Sequence, residues 1–280
     1  QEHGAWRTER GAWQASKHCQ LVATDQKAQG VIWQGRDVVT AEQRVTELEA
    51  ELQQLRRETQ AFTSALSHDL RAPLRHIVSY ARLLEEEAGE ALNAEQRSFL
   101  GTITESAQHM GAMLDALREL ARIGSAPLAM ASLSLEALVH EVWAELAAKY
   151  APRTLDFVVA AGLPAVRADA AMMRVALHAI LDNAWKFTSQ MPVGTGRVEL
   201  AWSVVDDGLQ MTVRDNGCGF RAAQPGMALE MFGRLHAAKP YGGLGAGLAW
   251  AAKALSRMGG SVALASTDAS GCVTTIHIPQ

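Results

Sequence analysis

From Val45 to Leu66, the positions Val45, Leu48, Leu52, Leu55, Thr59, Phe62 and Leu66 alternate steps of three and four, with Glu, Gln and Arg between them. That is the spacing of a heptad seam and predicts a coiled coil. The seam runs on into a helical stripe of Phe62, Leu66, Leu70, Leu74 and Ile77. After the polar, Gly-containing stretch "EEEAGEALNAE", the three-four alternation returns in Leu100, Ile103, Ala107, Met110, Leu114, Leu117 and Ala121. Two such helices joined by a short turn form an antiparallel hairpin. One hairpin cannot bury both seams, so the pattern predicts a homodimer whose four helices share a core.

His68 does not fit the stripe. At about 100° per residue it lies roughly 200° from both Leu66 and Leu70, so it faces solvent, with Asp69 beside it. Pro73, five residues on, has no N–H and its ring clashes with the Asp69 carbonyl. A kink there is expected, at a cost of about 3 kcal/mol. A coiled-coil spacer gains nothing from this, whereas a helix that must present a histidine does.

After "RIGSAPLAM", a Gly/Ser/Pro break suited to a linker, the pattern becomes mixed α/β. It predicts a helix from Leu135 to Tyr150, a strand in "TLDFVVA", and a helix capped by Asp169 that runs to about Thr188. Strands in "RVELAWSVV" and "LQMTVRD" flank the turn Asp207-Gly208, and a helix in "GLAWAAKALSRM" precedes strands in "SVALAS" and "CVTTIHI". The fold class expected is α+β: a helical hairpin that makes a four-helix bundle on dimerisation, then a sheet with helices on one face. Before residue 40 there are only two strand-like runs, "HCQLV" and "GVIWQGRDVV".

Composition narrows the function classes. The chain has 280 residues, 48% hydrophobic residues and a net charge of −4, so no basic field points to nucleic acid. Cys19, Cys218 and Cys272 are far apart and in no CxxC pair, which fits a reducing compartment and argues against disulfides or structural zinc. No apolar run approaches the roughly 20 residues that span a bilayer. A cytoplasmic fragment without membrane contact is expected, and an anchor in a longer parent stays open.

Three clusters in the second half carry chemistry. In "ILDNAWKFT", Asn183 and Lys186 share a helix face while Ile180, Ala184 and Phe187 can face the sheet. An amide beside an ammonium suits a hydrated Mg²⁺ and the phosphates it bridges. In "RDNGCGF", Asp215 ends a strand, and Gly217 and Gly219 let the backbone turn against a flat ligand. In "YGGLGAGLAW", Gly243, Gly245 and Gly247 precede a helix whose N–H groups make an anion site.

Each cluster alone is weak. Their order, together with "SHDLRAPL" upstream, resembles the sensor histidine kinases of two-component signalling over about residues 40–280. The resemblance implies a dimerisation and phosphotransfer domain at 61–124, a linker at 125–131 and an ATP-binding domain at 132–280. A signalling coiled coil would occupy 41–60, and 1–40 is similar to the tail of a PAS domain. His68 then matches the phospho-accepting histidine and Asp69 the acidic neighbour that acts as general base. Asn183 matches the metal-binding asparagine, Lys186 a phosphate contact, and Asp215 the residue that bonds the adenine amino group. Gly217 and Gly219 follow that aspartate, and Gly243, Gly245, Gly247 and Leu248 match the phosphate loop. "FGRLH" resembles the lid, with Phe232 packing and Arg234 reaching the γ-phosphate. The implied cofactors are ATP and Mg²⁺, and the implied partners are a second copy and a response-regulator receiver domain.

Some positions depart from the family pattern. Ala179 stands where many relatives carry a second asparagine, which points to weaker metal or nucleotide affinity, and Leu244 stands where threonine is frequent. Cys218 reads as a small hydrophobe. Two other readings remain open: a degenerate nucleotide-binding scaffold, and a gyrase-like ATPase, which leaves the histidine helix without a role.

Relatives that also dephosphorylate their regulator commonly carry threonine or asparagine four residues after the histidine, and here that position is Ala72, which cannot hydrogen-bond an attacking water. Little phosphatase activity of this type is expected. Decay of a purified phosphorylated regulator should be barely faster with this protein and ADP than without, and faster with Ala72→Thr. Strong acceleration by the wild type would contradict the expectation.

Overall fold

The computed structural model describes residues 41–189, 191–192, 194–220, 225–233, 242–266 and 271–280. The strand-like runs before residue 40, and with them the PAS-tail reading, lie outside the described residues. Thr46–Gln280 packs as one unit.

Helix α1 (Ala41–Ala88) continues without a break through Pro73. Helix α2 (Ala94–Ser125) starts at a capping box in which Asn93 and Gln96 satisfy each other's backbone N–H groups. The two helices meet through Ser67 Oγ, 3.4 Å from the Leu114 carbonyl, and through Arg71 Nη2, which donates to Asp115 Oδ1 at 2.6 Å. The inward position on α1 is Ser67, 1% exposed, while Phe62 of the predicted stripe is 68% exposed and Leu66, Leu70 and Ile77 are about 40% exposed. The stripe is thus uncovered within one chain. Small side chains at Ser67, Ala81, Ala107 and Ala116 are buried within one chain, together with Leu100 and Ile123 of α2.

Strand β1 (Met130–Ser134) leads directly into α3 (Leu135–Lys149), then β2 (Asp156–Val159), β3 (Ala165–Asp169) and α4 (Ala170–Phe187). Next come β4 (Arg197–Val205), β5 (Gly208–Asp215), a 3₁₀ turn at Pro225–Leu229, α5 (Gly247–Arg257), β6 (Ser261–Ser266) and β7 (Cys272–Pro279). The pair β1–β3, antiparallel from Met130↔Asp169 to Ser134↔Ala165, was not foreseen. Its strands are short and largely Ala and Ser, so they lack the alternation of large β-formers that marks a strand. Strand β1 also takes the last residues of the stretch read as linker.

The main sheet has the order β2-β4-β5-β7-β6, with β2 parallel to β4 and the other pairs antiparallel. Leu209, Met211 and Val213 of β5 alternate inward, joined by Val198 and Leu200 of β4 and Ile276 and Ile278 of β7. Alternation of this kind leaves one sheet face for helices. Against it lie Val139, Val142 and Leu146 of α3, Met173, Leu177 and Leu181 of α4, and Ala251 and Leu255 of α5, in one continuous core.

Helix α4 is fixed at both ends. Asp169 accepts from Met172 N at 2.9 Å as N-cap and from Ala129 N at 2.6 Å. Burial raises the Asp169 carboxyl, but these backbone donors and Arg257 outweigh it and hold it below the usual carboxylate range. At the other end Arg153 donates to the Trp185 carbonyl at 2.9 Å and to that of Thr188.

Helix α2 is joined to α5. Trp250 Nε1 donates to the Ala116 carbonyl at 3.2 Å, and Arg257 Nη1 donates to the carbonyls of Ile123, at 2.7 Å, and Ala126. Arg257→Ala leaves those terminal carbonyls without their charged donor and should cost about 1–2 kcal/mol. In a domain of this size that lowers the Tm by roughly 2–8 °C. Thermal melting followed by circular dichroism checks this, and an unchanged Tm would show that the junction contributes nothing.

Candidate nucleotide-binding site

A cavity of about 640 Å³ lies between α4, the ends of β5 and β7, and the glycine-rich segment before α5. Helix α4 supplies one wall because its apolar residues are taken up by the core, which leaves Arg174, His178, Asp182 and Lys186, at spacings of four, and Asn183 on the cavity. Asn183 is half-buried, and its carboxamide has no hydrogen-bond partner among the described residues. Ile180 and Ala184, read as able to face the sheet, are buried, and Phe187 is half-buried; all three also border the cavity.

Asp182 is 7% exposed and gathers three donors: Lys149 Nζ at 2.7 Å, Tyr150 Oη at 2.8 Å, and Lys186 Nζ, with which it forms an ion pair. Burial raises its carboxyl, yet the bonds from Lys149, Lys186 and Tyr150 overcome this and hold it below the usual range. Burial and the same carboxylate push the Tyr150 hydroxyl up. The Lys186 ammonium lies 3.5 Å from where a β-carbon on Gly243 would stand. Gly243 has φ +86°, a conformation that L side chains rarely adopt, so the loop needs glycine there. A β-carbon on Gly247 would stand 3.5 Å from that of Ala179, so the first turn of α5 rests directly on α4.

At the opposite wall, Asp215 ends β5 and is 6% exposed. Its Oδ1 accepts from Gly217 N at 2.9 Å and Cys272 N at 3.3 Å, and no described residue donates to Oδ2. Burial pushes the carboxyl above its ordinary value, and those two backbone donors offset this only in part. Gly271, φ +82°, permits the packing, since a β-carbon there would stand 1.8 Å from the Asp215 carbonyl oxygen. Burial, then the charges of Asp215 and Cys218, push the Cys272 thiol up to about 12, so it stays protonated and unreactive at neutral pH.

Of the residues singled out in the sequence, Asn183, Lys186, Asp215, Gly219, Gly243, Gly245, Gly247 and Leu248 line this cavity. Gly217 sits behind it as a donor to Asp215. Phe232 is off the wall, with φ +65° and its N–H donating to the Gly245 carbonyl at 2.9 Å. Arg234 lies outside the described residues. His68 and Asp69 do not line the cavity; they sit exposed on α1, His68 Nδ1 facing Asp69 Oδ1 at 3.1 Å.

Sequence reasoning missed Lys149, Asp182 and Glu119, all at the cavity. Asp182 left one signal: it is a carboxylate four residues before Lys186 on a helix otherwise largely apolar. Lys149 left none, since only the packing of α3 on α4 brings it there.

Residues 58–126 match the His Kinase A (phospho-acceptor) domain, and residues 168–280 match the histidine kinase-, DNA gyrase B-, and HSP90-like ATPase family. The chain belongs to the sensor histidine kinases. Cyanobacterial phytochrome B of Nostoc sp. is 30% identical over 230 residues, 81% of this chain and 30% of that protein. The aerobic respiration control sensor protein ArcB of Escherichia coli is 28% identical over 266 residues, 91% of this chain and 32% of the relative. Full-length ShkA in complex with AMPPNP is similar in structure, with a TM-score of 0.55 and 30% identity over 79% of this chain and 46% of that one. The Acinetobacter baumannii histidine kinase AdeS, at 19% identity and a TM-score of 0.53 over 76% of this chain and 97% of its own, shares the fold. The chain spans about a third of the length of the curated relatives it matches. As in other histidine kinases, the α/β part is an ATP-binding domain, and no described helix is long and apolar enough to cross a membrane.

The raised carboxyl of Asp215 separates stability from binding. A carboxyl with a raised folded-state value favours the fold most below the ordinary aspartate range, and that contribution is lost as pH rises through the raised value. Asp215→Asn keeps an oxygen for Gly217 N and Cys272 N but no buried charge. The nucleotide-free variant should therefore melt at least as high as the wild type at pH 7, with the difference shrinking as pH approaches 4. Melts at several pH values check this; a large loss at pH 7 would refute it.

Proposed function

We propose that this kinase uses its ATP-binding domain to phosphorylate His68 and passes the phosphoryl group to an aspartate in a response-regulator receiver domain. The observation that carries the reading is the exposed imidazole held at Nδ1 by Asp69, on a helix upstream of an ATP-binding cavity. With Nδ1–H donating to Asp69, the lone pair resides on Nε2, the nitrogen free to attack. Nε2 forms a bond to the γ-phosphorus as the bond from that phosphorus to the β,γ-bridging oxygen breaks, and ADP leaves. Asp69 takes the Nδ1 proton as positive charge develops on the ring.

The cavity residues fit the other product. Asp215 Oδ2 has capacity for the adenine amino group, and the N-terminus of α5 with Gly243, Gly245 and Gly247 suits the phosphates. Lys186 adds charge at that loop. Asn183 offers one neutral oxygen, and no group of three or more His, Cys, Asp or Glu able to hold a metal occurs among the described residues. That donor set fits Mg²⁺ that keeps waters and phosphate oxygens as its other ligands, where it would neutralise charge on the transferring phosphoryl group. Arg234, in the lid segment, supplies a further cation in this reading.

Val45, Leu48, Leu52 and Leu55 on α1, with the uncovered stripe beyond them, suit a second copy of the chain, so the kinase acts as a homodimer. ATP and a receiver domain are found in the cytoplasm, which is where this part of the protein operates. A gyrase-like ATPase would use the cavity but leaves the His68–Asp69 pair without work.

Incubation with γ-labelled ATP and Mg²⁺ should give a phosphoprotein whose label is acid-labile and base-stable. His68→Gln should abolish labelling and leave nucleotide binding unchanged. Persistent labelling of that variant would sink the assignment, and release of label as free phosphate without protein labelling would favour the ATPase reading.

A further inference from the structure

We infer that Lys149 is a second phosphate-binding cation of the nucleotide cavity, held there with Lys186 by the single carboxylate of Asp182. The inference rests on the nucleotide reading of the cavity given above. Lys149 Nζ bonds Asp182 Oδ1 at 2.7 Å and Lys186 Nζ pairs with Oδ2, so the two ammonium groups lie on the two oxygens of one carboxylate. Two positive charges share one negative charge, which leaves the cluster with an excess of one. Each ammonium carries three N–H donors, more than Asp182 can absorb, and both lysines line the cavity.

The position of the excess charge identifies what it serves. Lys186 stands against Gly243, in the glycine loop that the proposed function assigns to the phosphates, and Lys149 approaches the same carboxylate from α3 with its side chain half exposed. Arg174 is engaged by Glu141 and Glu145, so among the described residues the lysine pair is the cationic group of this wall with capacity to spare. Ala179 brings no polar group where an amide would stand in many relatives, and Lys149 supplies one from a neighbouring helix. Asp182 is a positioning residue: its carboxyl, held ionised by its donors, keeps both ammonium groups aimed at one place. A lysine that only tied α3 to α4 would leave nucleotide affinity untouched.

The test uses the 280-residue chain. Calorimetric titration with ATP, ADP and adenosine should show Lys149→Met weakening ATP and ADP roughly tenfold while adenosine affinity stays near that of the wild type. Lys149→Arg should restore most of the loss. In the unmodified protein, an amine-acylating reagent followed by mass spectrometry should find Lys149 protected by ADP and not by adenosine, a readout that does not depend on how any variant folds. Equal ADP affinity in Lys149→Met, a parallel loss of adenosine binding, or equal acylation with either ligand would overturn the inference while leaving nucleotide binding intact. Failure of the wild type to bind ADP at all would overturn both readings together.

Discussion

The nucleotide cavity exists because α4 must fit a tight core on one side and face a polar cavity on the other. Ten of its eighteen residues are buried, so the helix can neither rotate nor slide without exposing large side chains such as Met173, Leu177 and Trp185. That rigidity sets Asn183 and Lys186 in place, and it fixes the seat on which the glycine loop rests. Ala179 lies at that seat. A larger polar side chain there would stand between α4 and Gly247, so the loss of an amide and the close seating of α5 are two faces of one choice.

Two buried aspartates in the same cavity show how neighbours decide the fate of a charge. Asp182 sits among two ammonium groups and a phenol, and their bonds outweigh the cost of burial. Asp215 has only backbone N–H groups and no cation, so burial dominates and the charge is held at a cost. A carboxylate that keeps an unsatisfied oxygen at the end of a cavity gains from any ligand donor that reaches it. The first carboxylate organises cations, and the second waits for a hydrogen bond from the ligand.

Much of the fold was legible in the sequence because long periodic segments report their own burial. The two hairpin helices, α4 with its Asp169 cap, and the strands from Arg197 to Asp215 follow from spacing alone. Strands β1 and β3 did not, because five residues rich in Ala and Ser carry no period. The exposed stripe on α1 fits the expectation that one hairpin cannot bury its seams, while the burial of Ser67 and Ala81 within one chain is something no hydrophobicity pattern marks. Asn183, Lys186 and Asp215 were found through motif order and resemblance. Lys149 and Asp182 lie 33 residues apart and meet only through helix packing, which single-sequence spacing cannot express.

The junction between hairpin and ATP-binding domain bears on how His68 meets ATP in the proposed reaction. Trp250 lies four residues into α5, lines the cavity and donates to Ala116; the next residue back, Asp115, is paired with Arg71, three residues beyond His68. The start of α5 is therefore tied to α2 close to where α2 meets the phospho-acceptor helix, while His68 itself stays outside the cavity. The polar ties run through single side chains, Trp250 and Arg257, which donate to main-chain carbonyls beside the buried Ala116 and Ile123. Side-chain bonds of this sort cost about 1–2 kcal/mol each to break, within reach of thermal motion and of a change in α1 packing. In the proposed reaction, attack by His68 on the γ-phosphate then calls for release of this junction or for presentation of His68 to the cavity of a second copy.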